Sequence, residues 1–154
     1  MNIAIYSRNL SRQICLLACI AILSACMSTP TASRVNRIQI IAFPDANQMT
    51  ATAVDIVFVY DKNVEAMMPK SSTQWFDTKA ALTAGLATAI QVVSLKIPPA
   101  TDVNVTMPAN HSKAVAVLCF SNYLNSEGQV VGNITSFRDV TILLSSGNVV
   151  YQDR

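Results

Sequence analysis

One histidine, four glycines and four cysteines set narrow limits on the chemistry open to this 154-residue chain. With so few glycines, neither G-x-x-x-x-G-K-[ST] nor G-x-G-x-x-G occurs, so no phosphate cradle is expected. A single histidine, His111, flanked by Asn110 and Ser112, gives no zinc-ligand spacing and no local partner for a nucleophile. It sits after Pro108 in a loop, where an exposed role is the ordinary one. Charged residues are only 13 % of the chain and form no run, which disfavours a nucleic-acid partner. No apolar run reaches the roughly 20 residues a membrane-crossing helix needs.

What is present is concentrated near the N-terminus. Arg8 and Arg12 precede a short apolar run, Ile14 to Leu23, which ends in Leu23-Ser24-Ala25-Cys26. Basic start, apolar middle and small residues before a cut form a secretory signal. The cysteine directly after the small pair makes the tetrapeptide look like a bacterial lipobox, where the thiol is acylated and the chain is cut before it. The expected divisions are a signal peptide at 1–25, a lipidated tether at 26–36 and a folded domain at 37–154. The alternative is an ordinary signal peptide with an unrelated cysteine. Met27, rather than Asp, after the lipobox favours the outer membrane, by analogy with bacterial lipoproteins as a class.

Processing changes the arithmetic. Removing Arg8 and Arg12 from the 11 basic residues leaves nine, against nine acidic ones, so the mature chain is formally neutral. Cys15 and Cys19 leave with the signal and Cys26 is consumed by lipid. Cys119 remains, inside the apolar run Ala114 to Phe120, where a lone cysteine is usually a small hydrophobe. No intramolecular disulfide is then available, and the domain rests on its apolar core. About 129 residues suffice for one such core.

Periodicity points to strands. Arg37 to Ala42 is short and β-branched, and Pro44 to Gln48 breaks it with turn residues. Thr52 to Tyr60 is almost continuously apolar, as in a strand covered on both faces. Asp61 or Asn63 can cap a short helix ended by Pro69, and Ser71 or Ser72 a second one carrying Trp75, Phe76, Ala80 and Leu82. Residues 63–88 therefore read as a helical insertion. Strands resume at Ile90 to Ile97, Val103 to Met107, Val115 to Phe120, Val130 to Thr135, Asp139 to Leu144 and Val149 to Tyr151. Seven or eight short strands with turns between them predict a mainly β protein, a two-sheet sandwich with a small helical insertion. No internal repeat is visible, which argues against a solenoid or propeller.

Candidate sites are few. Asp55 and Asp61 flank a strand, and such acids usually solvate or cap rather than form a catalytic pair. Asn104-Val105-Thr106, Asn110-His111-Ser112 and Asn133-Ile134-Thr135 match the glycosylation pattern, which is mostly accidental in a bacterium. Met67-Met68 and Trp75-Phe76 suit either a buried helix face or an interface. No catalytic residue, metal or cofactor is expected.

The order of these segments resembles the TssJ family, the small outer-membrane lipoproteins of type VI secretion. The likeness covers about residues 26–135. It runs from Cys26 and its tether through Val54-Asp55-Ile56-Val57-Phe58-Val59-Tyr60. It continues through Trp75-Phe76-Asp77 and Leu82, then Val92-Val93-Ser94-Leu95-Lys96-Ile97-Pro98, to Phe120-Ser121-Asn122-Tyr123. Two departures stand out. Pro98-Pro99-Ala100 replaces a Pro-Gly turn, and Leu124 follows Tyr123 where the family tends to carry Arg. The resemblance implies a transthyretin-like β-sandwich anchored by acylated Cys26 at the periplasmic face of the outer membrane. It also implies a structural, non-enzymatic role, with binding to the periplasmic part of an inner-membrane secretion component, TssM-like. The loop after the first strand, Pro44 to Thr50, is then the contact, giving Asp45, Ala46, Asn47, Gln48 and Met49. Met67, Met68 and Trp75 of the insertion join it, because the loop is poor in large apolar groups. The alternative is a periplasmic ligand-binding or chaperone-like lipoprotein with the same anchor.

Overall fold

The computed structural model describes residues 32–154. The signal at 1–25, Cys26 and the first part of the tether lie outside the described residues. Eight strands form two four-stranded sheets. The first has the order β4 (Thr101–Asn104), β1 (Arg37–Ala42), β7 (Asp139–Leu144), β8 (Val149–Asp153). The second runs β3 (Ile90–Ile97), β2 (Thr52–Val59), β5 (Ala116–Asn122), β6 (Gly132–Asn133). All neighbours are antiparallel except β1 and β7, which pair in parallel with Ile38 opposite Val140.

Alternation builds the core between the sheets. Ile38, Ile40 and Ala42 of β1 point inward, and so do Val140, Ile142 and Leu144 of β7. They meet Val54, Ile56 and Phe58 of β2 and Val117 and Cys119 of β5. The intervening residues of β2 and β5 face the other way, into a second apolar cluster beneath two helices, α1 (Lys62–Met67) and α2 (Ser72–Gly85). Val57, Val59, Leu118 and Phe120 pack there against Val64, Met68 and Trp75. The unbroken hydrophobicity of Thr52 to Tyr60 thus has its cause: this strand has no wet face.

Both helices start where a short polar side chain can satisfy free N–H groups. Asp61 accepts from Asn63 N at 2.7 Å, and Ser71 accepts from Gln74 N at 3.2 Å. Ser72 is instead buried, its hydroxyl accepting from Ser121 N of β5 at 3.0 Å. Asp55, far from solvating a strand edge, is 1 % exposed in the middle of β2. It accepts from the Trp75 indole at 2.8 Å and pairs with Lys79 Nζ at 2.8 Å, so it ties α2 to the sheet. Trp75 stacks on Phe120 with centroids 4.8 Å apart.

Three expected segments differ. The strand read at Val130 to Thr135 contracts to Gly132–Asn133, because the Thr135 hydroxyl takes the Val117 N–H at 2.9 Å in place of a ladder bond. The strand read at Val103 to Met107 ends at Asn104. The end of the expected tether is part of the domain: Ser33 N donates to Ala114 O at 2.7 Å, Asn36 N to Arg138 O at 2.8 Å, and Val35 is 1 % exposed. A buried valine and paired amides hold these residues where a free linker has neither.

Candidate functional site

The turn after β1 is the least ordinary backbone in the described chain. Asn47, Gln48 and Met49 follow one another in the left-handed region, with φ of 47°, 55° and 60°. Asn tolerates this conformation, but for Gln and Met it costs roughly 1–2 kcal/mol each. The turn persists because Asn47 is fastened on three sides. Its N–H donates to Ser145 O at 2.9 Å, its side-chain amide donates to Asn122 O at 3.3 Å, and its Oδ1 accepts from Leu124 N at 2.8 Å. One residue therefore joins the β1–β2 turn, the end of β5 and the β7–β8 turn.

Tyr123 fixes the same pole of the sandwich. Its hydroxyl donates toward Ser145 O and Asn148 O at 3.0 and 3.2 Å, and its carbonyl accepts from Gln129 Nε2 at 2.7 Å. Around this scaffold three large apolar side chains face water: Met49 at 77 %, Leu124 at 64 % and Phe43 at 42 % exposure. Strain at a rigidly held turn that exposes apolar groups is the pattern of a preorganised binding surface.

The sequence-derived contact residues divide accordingly. Asp45, Gln48 and Met49 are exposed on this turn. Ala46 and Asn47 are buried beneath it and support it. Met68 and Trp75 are also corrected: both belong to the cluster between α1, α2 and the second sheet, where apolar contact and the Asp55 bond hold them. Met67 is exposed at the end of α1. Phe43 and Leu124 were not among the sequence-derived residues. The first carried a signal, since it continues the β1 alternation on the outward phase. Leu124 became a surface candidate only once Asn47 drew it to the turn.

The titratable groups are arranged for packing. Burial pushes the Cys119 thiol up from 9.0 to about 12, so it stays protonated and inert. Burial, helped by the Asp45 charge, pushes Tyr123 from 10.0 to about 12, and burial raises Tyr151 as well. Among the described residues no group of three or more His, Cys, Asp or Glu side chains is placed to hold a metal ion. His111 sets its Nδ1 2.8 Å from Pro108 O, and Asp61 is used as a helix cap.

These raised values predict an alkaline limit. The folded state keeps protons that the unfolded chain releases, so this stability is complete below pH 9 and is lost as pH climbs towards about 12. Each group adds a slope of about 1.4 kcal/mol per pH unit in that window. Circular dichroism against pH should show unfolding there, and Cys119→Ala should move its onset upward. An onset unchanged by that substitution would remove Cys119 from the cause.

No protein-family model and no curated protein matches the sequence. Solved structures do. The type VI secretion lipoprotein TssJ1 of Pseudomonas aeruginosa superposes with a TM-score of 0.57 at 12 % identity, over 80 % of this chain and 97 % of that one. The fold is that of the type VI secretion lipoproteins. Lip of Serratia marcescens, a membrane-bound component of the type VI secretion system, gives 0.52 at 8 % identity, over 80 % and 99 % of the two chains. A chain from the structure of the TssM C-terminal domain (869–1107) of EAEC gives 0.52 at 16 %, over 75 % and 98 %. At these identities the likeness is one of fold alone. Met49, Phe43 and Leu124 must therefore be read from this chain's own geometry.

Proposed function

We propose that this protein is a divergent TssJ-like lipoprotein of a type VI secretion membrane complex. It is anchored through acylated Cys26 at the periplasmic face of the outer membrane and holds the periplasmic part of a TssM-like inner-membrane protein. One observation carries the reading: the chain that comes from Cys26 enters at the start of β1, and the Phe43, Met49 and Leu124 surface lies beyond its other end. Six residues of strand separate the two by about 20 Å. Lipid and partner then engage opposite poles without competing, as a tether requires. The role is structural and non-enzymatic.

The test replaces Met49 and Leu124 by Asp together, leaving Asn47 and the fold in place. If these are anchors of the interface, co-purification with the inner-membrane protein falls by about 30-fold or more. A photo-cross-linker at Met49 captures the same protein. Undiminished recovery of the double variant would move the interface elsewhere, with exposed Met67 the next residue to change.

A further inference from the structure

The two poles also differ in charge. Six exposed basic residues ring the pole where residue 32 leaves the domain: Arg34, Arg37, Lys62, Lys113, Arg138 and Arg154. The register brings them there. Arg37 lies opposite Asp139, Arg154 N binds Asp139 O, and Ser33, Arg34 and Asn36 bond to Ala114, Thr135 and Arg138. The acidic groups nearby are Asp61, Asp139, Asp153 and, one turn into α1, Glu65. Three of the four are engaged: Asp61 caps α1, Asp139 pairs with Arg37 at 3.4 Å, and Asp153 accepts from Arg138 N at 2.9 Å. The opposite pole carries Asp45, Asp102 and Glu127 against Lys70 and Lys96. A formally neutral domain is thus polarised along its long strands.

Two open hollows indent the basic pole. One, of about 440 Å³, is walled by Tyr60, Gln91, Asn110 and Lys113. The other, of about 450 Å³, is walled by Arg34, Asn133, Thr135 and Ser136. The Tyr60 and Thr135 hydroxyls are engaged with the Asn110 and Asn133 side-chain oxygens. This leaves the side-chain amide N–H groups of Gln91, Asn110 and Asn133 and the Ser136 hydroxyl beside Lys113 and Arg34, a donor set suited to phosphate oxygens.

We propose that this pole docks on an anionic phospholipid surface, so that the domain stands on the membrane with the Met49 pole outward. The inference rests on the reading of Cys26 as the lipid anchor. From Cys26 to Ala32 the chain has six residue steps, at most about 22 Å when extended. A domain held that close samples the headgroup layer continually, and screening over about 8 Å leaves the attraction intact on contact. Each basic residue near an anionic leaflet strengthens its hold about fivefold.

The full chain, purified with its lipid, is reconstituted in vesicles of phosphatidylcholine alone or with one third phosphatidylglycerol, each containing a headgroup quencher. A fluorophore is placed at Ser112→Cys on the basic pole, or at Lys96→Cys on the other. The Ser112 label should be quenched in phosphatidylglycerol vesicles and much less in phosphatidylcholine, and the Lys96 label in neither. Lys113→Glu with Arg138→Glu should lower the docked-to-free ratio at least about tenfold. Raising salt to ~0.5 M should do the same without any substitution. Equal quenching in the two vesicle types, or a double variant that docks as well as the parent, overturns the proposal. Mass spectrometry of the same sample separates the two readings. Unmodified Cys26 removes anchor and docking together, whereas acylated Cys26 with an indifferent label removes the docking alone.

Discussion

Asp55→Ala should lower the stability of the domain by about 3–5 kcal/mol, a large part of the 5–15 kcal/mol typical of a single domain. The carboxylate lies in the middle of β2 and is 1 % exposed, with the Trp75 indole and the Lys79 ammonium each 2.8 Å away. Its removal leaves a buried N–H without a partner and breaks the polar tie between Trp75 of α2 and the middle of β2. Lys79, itself partly solvated, keeps a second contact with Ser94 Oγ at 2.9 Å. Asp55→Asn should cost less, because an amide oxygen can still accept from Trp75. Lys79→Met should also be harmful, since it strands a negative charge inside. Urea denaturation checks the order, and Trp75 fluorescence reports the local environment. A loss under about 1 kcal/mol for Asp55→Ala would mean that apolar packing alone seats α2.

Replacing Cys26 by Ser has the largest expected effect on function. A single acyl chain binds a membrane only marginally, at about 0.8 kcal/mol per buried methylene, and stable anchoring takes two or more. On the proposed reading of Cys26 as the anchor, Cys26→Ser removes every chain at once. The protein should lose lipid labelling and leave the membrane fraction or stall before processing. Where processing still occurs, the soluble fraction should gain nearly all of the protein. A variant that stays in the membrane fraction in processed form would end the lipoprotein reading.

Much of the local structure was legible in the sequence because it depends on neighbours in the chain. The spans of β1, β2, β3 and β7 follow from β-branched runs closed by Pro44, Tyr60-Asp61, Pro98 and Ser145. A cap at Asp61 or Asn63 and another at Ser71 or Ser72 follow from short polar side chains ahead of helical segments, and the fold uses Asp61 and Ser71. A double-faced β2 follows from its lack of polar alternation. The buried Cys119 follows from the apolar run around it.

What required the tertiary structure depends on residues far apart in the chain. The parallel pairing of β1 with β7 joins segments about a hundred residues apart and leaves no mark on either strand. Trp75 could have faced a partner or the core, and it was Asp55, 20 residues away, that drew it inside. Asn47 read as one polar loop residue among several. Bonds to Asn122, Leu124 and Ser145 made it the post on which a left-handed turn is built, and that turn is what turns Met49 to water. The charges of residues 32–154 sum to zero in sequence. Strand register alone sorts them to two poles, because a sum carries no positions and a fold assigns one to every charge.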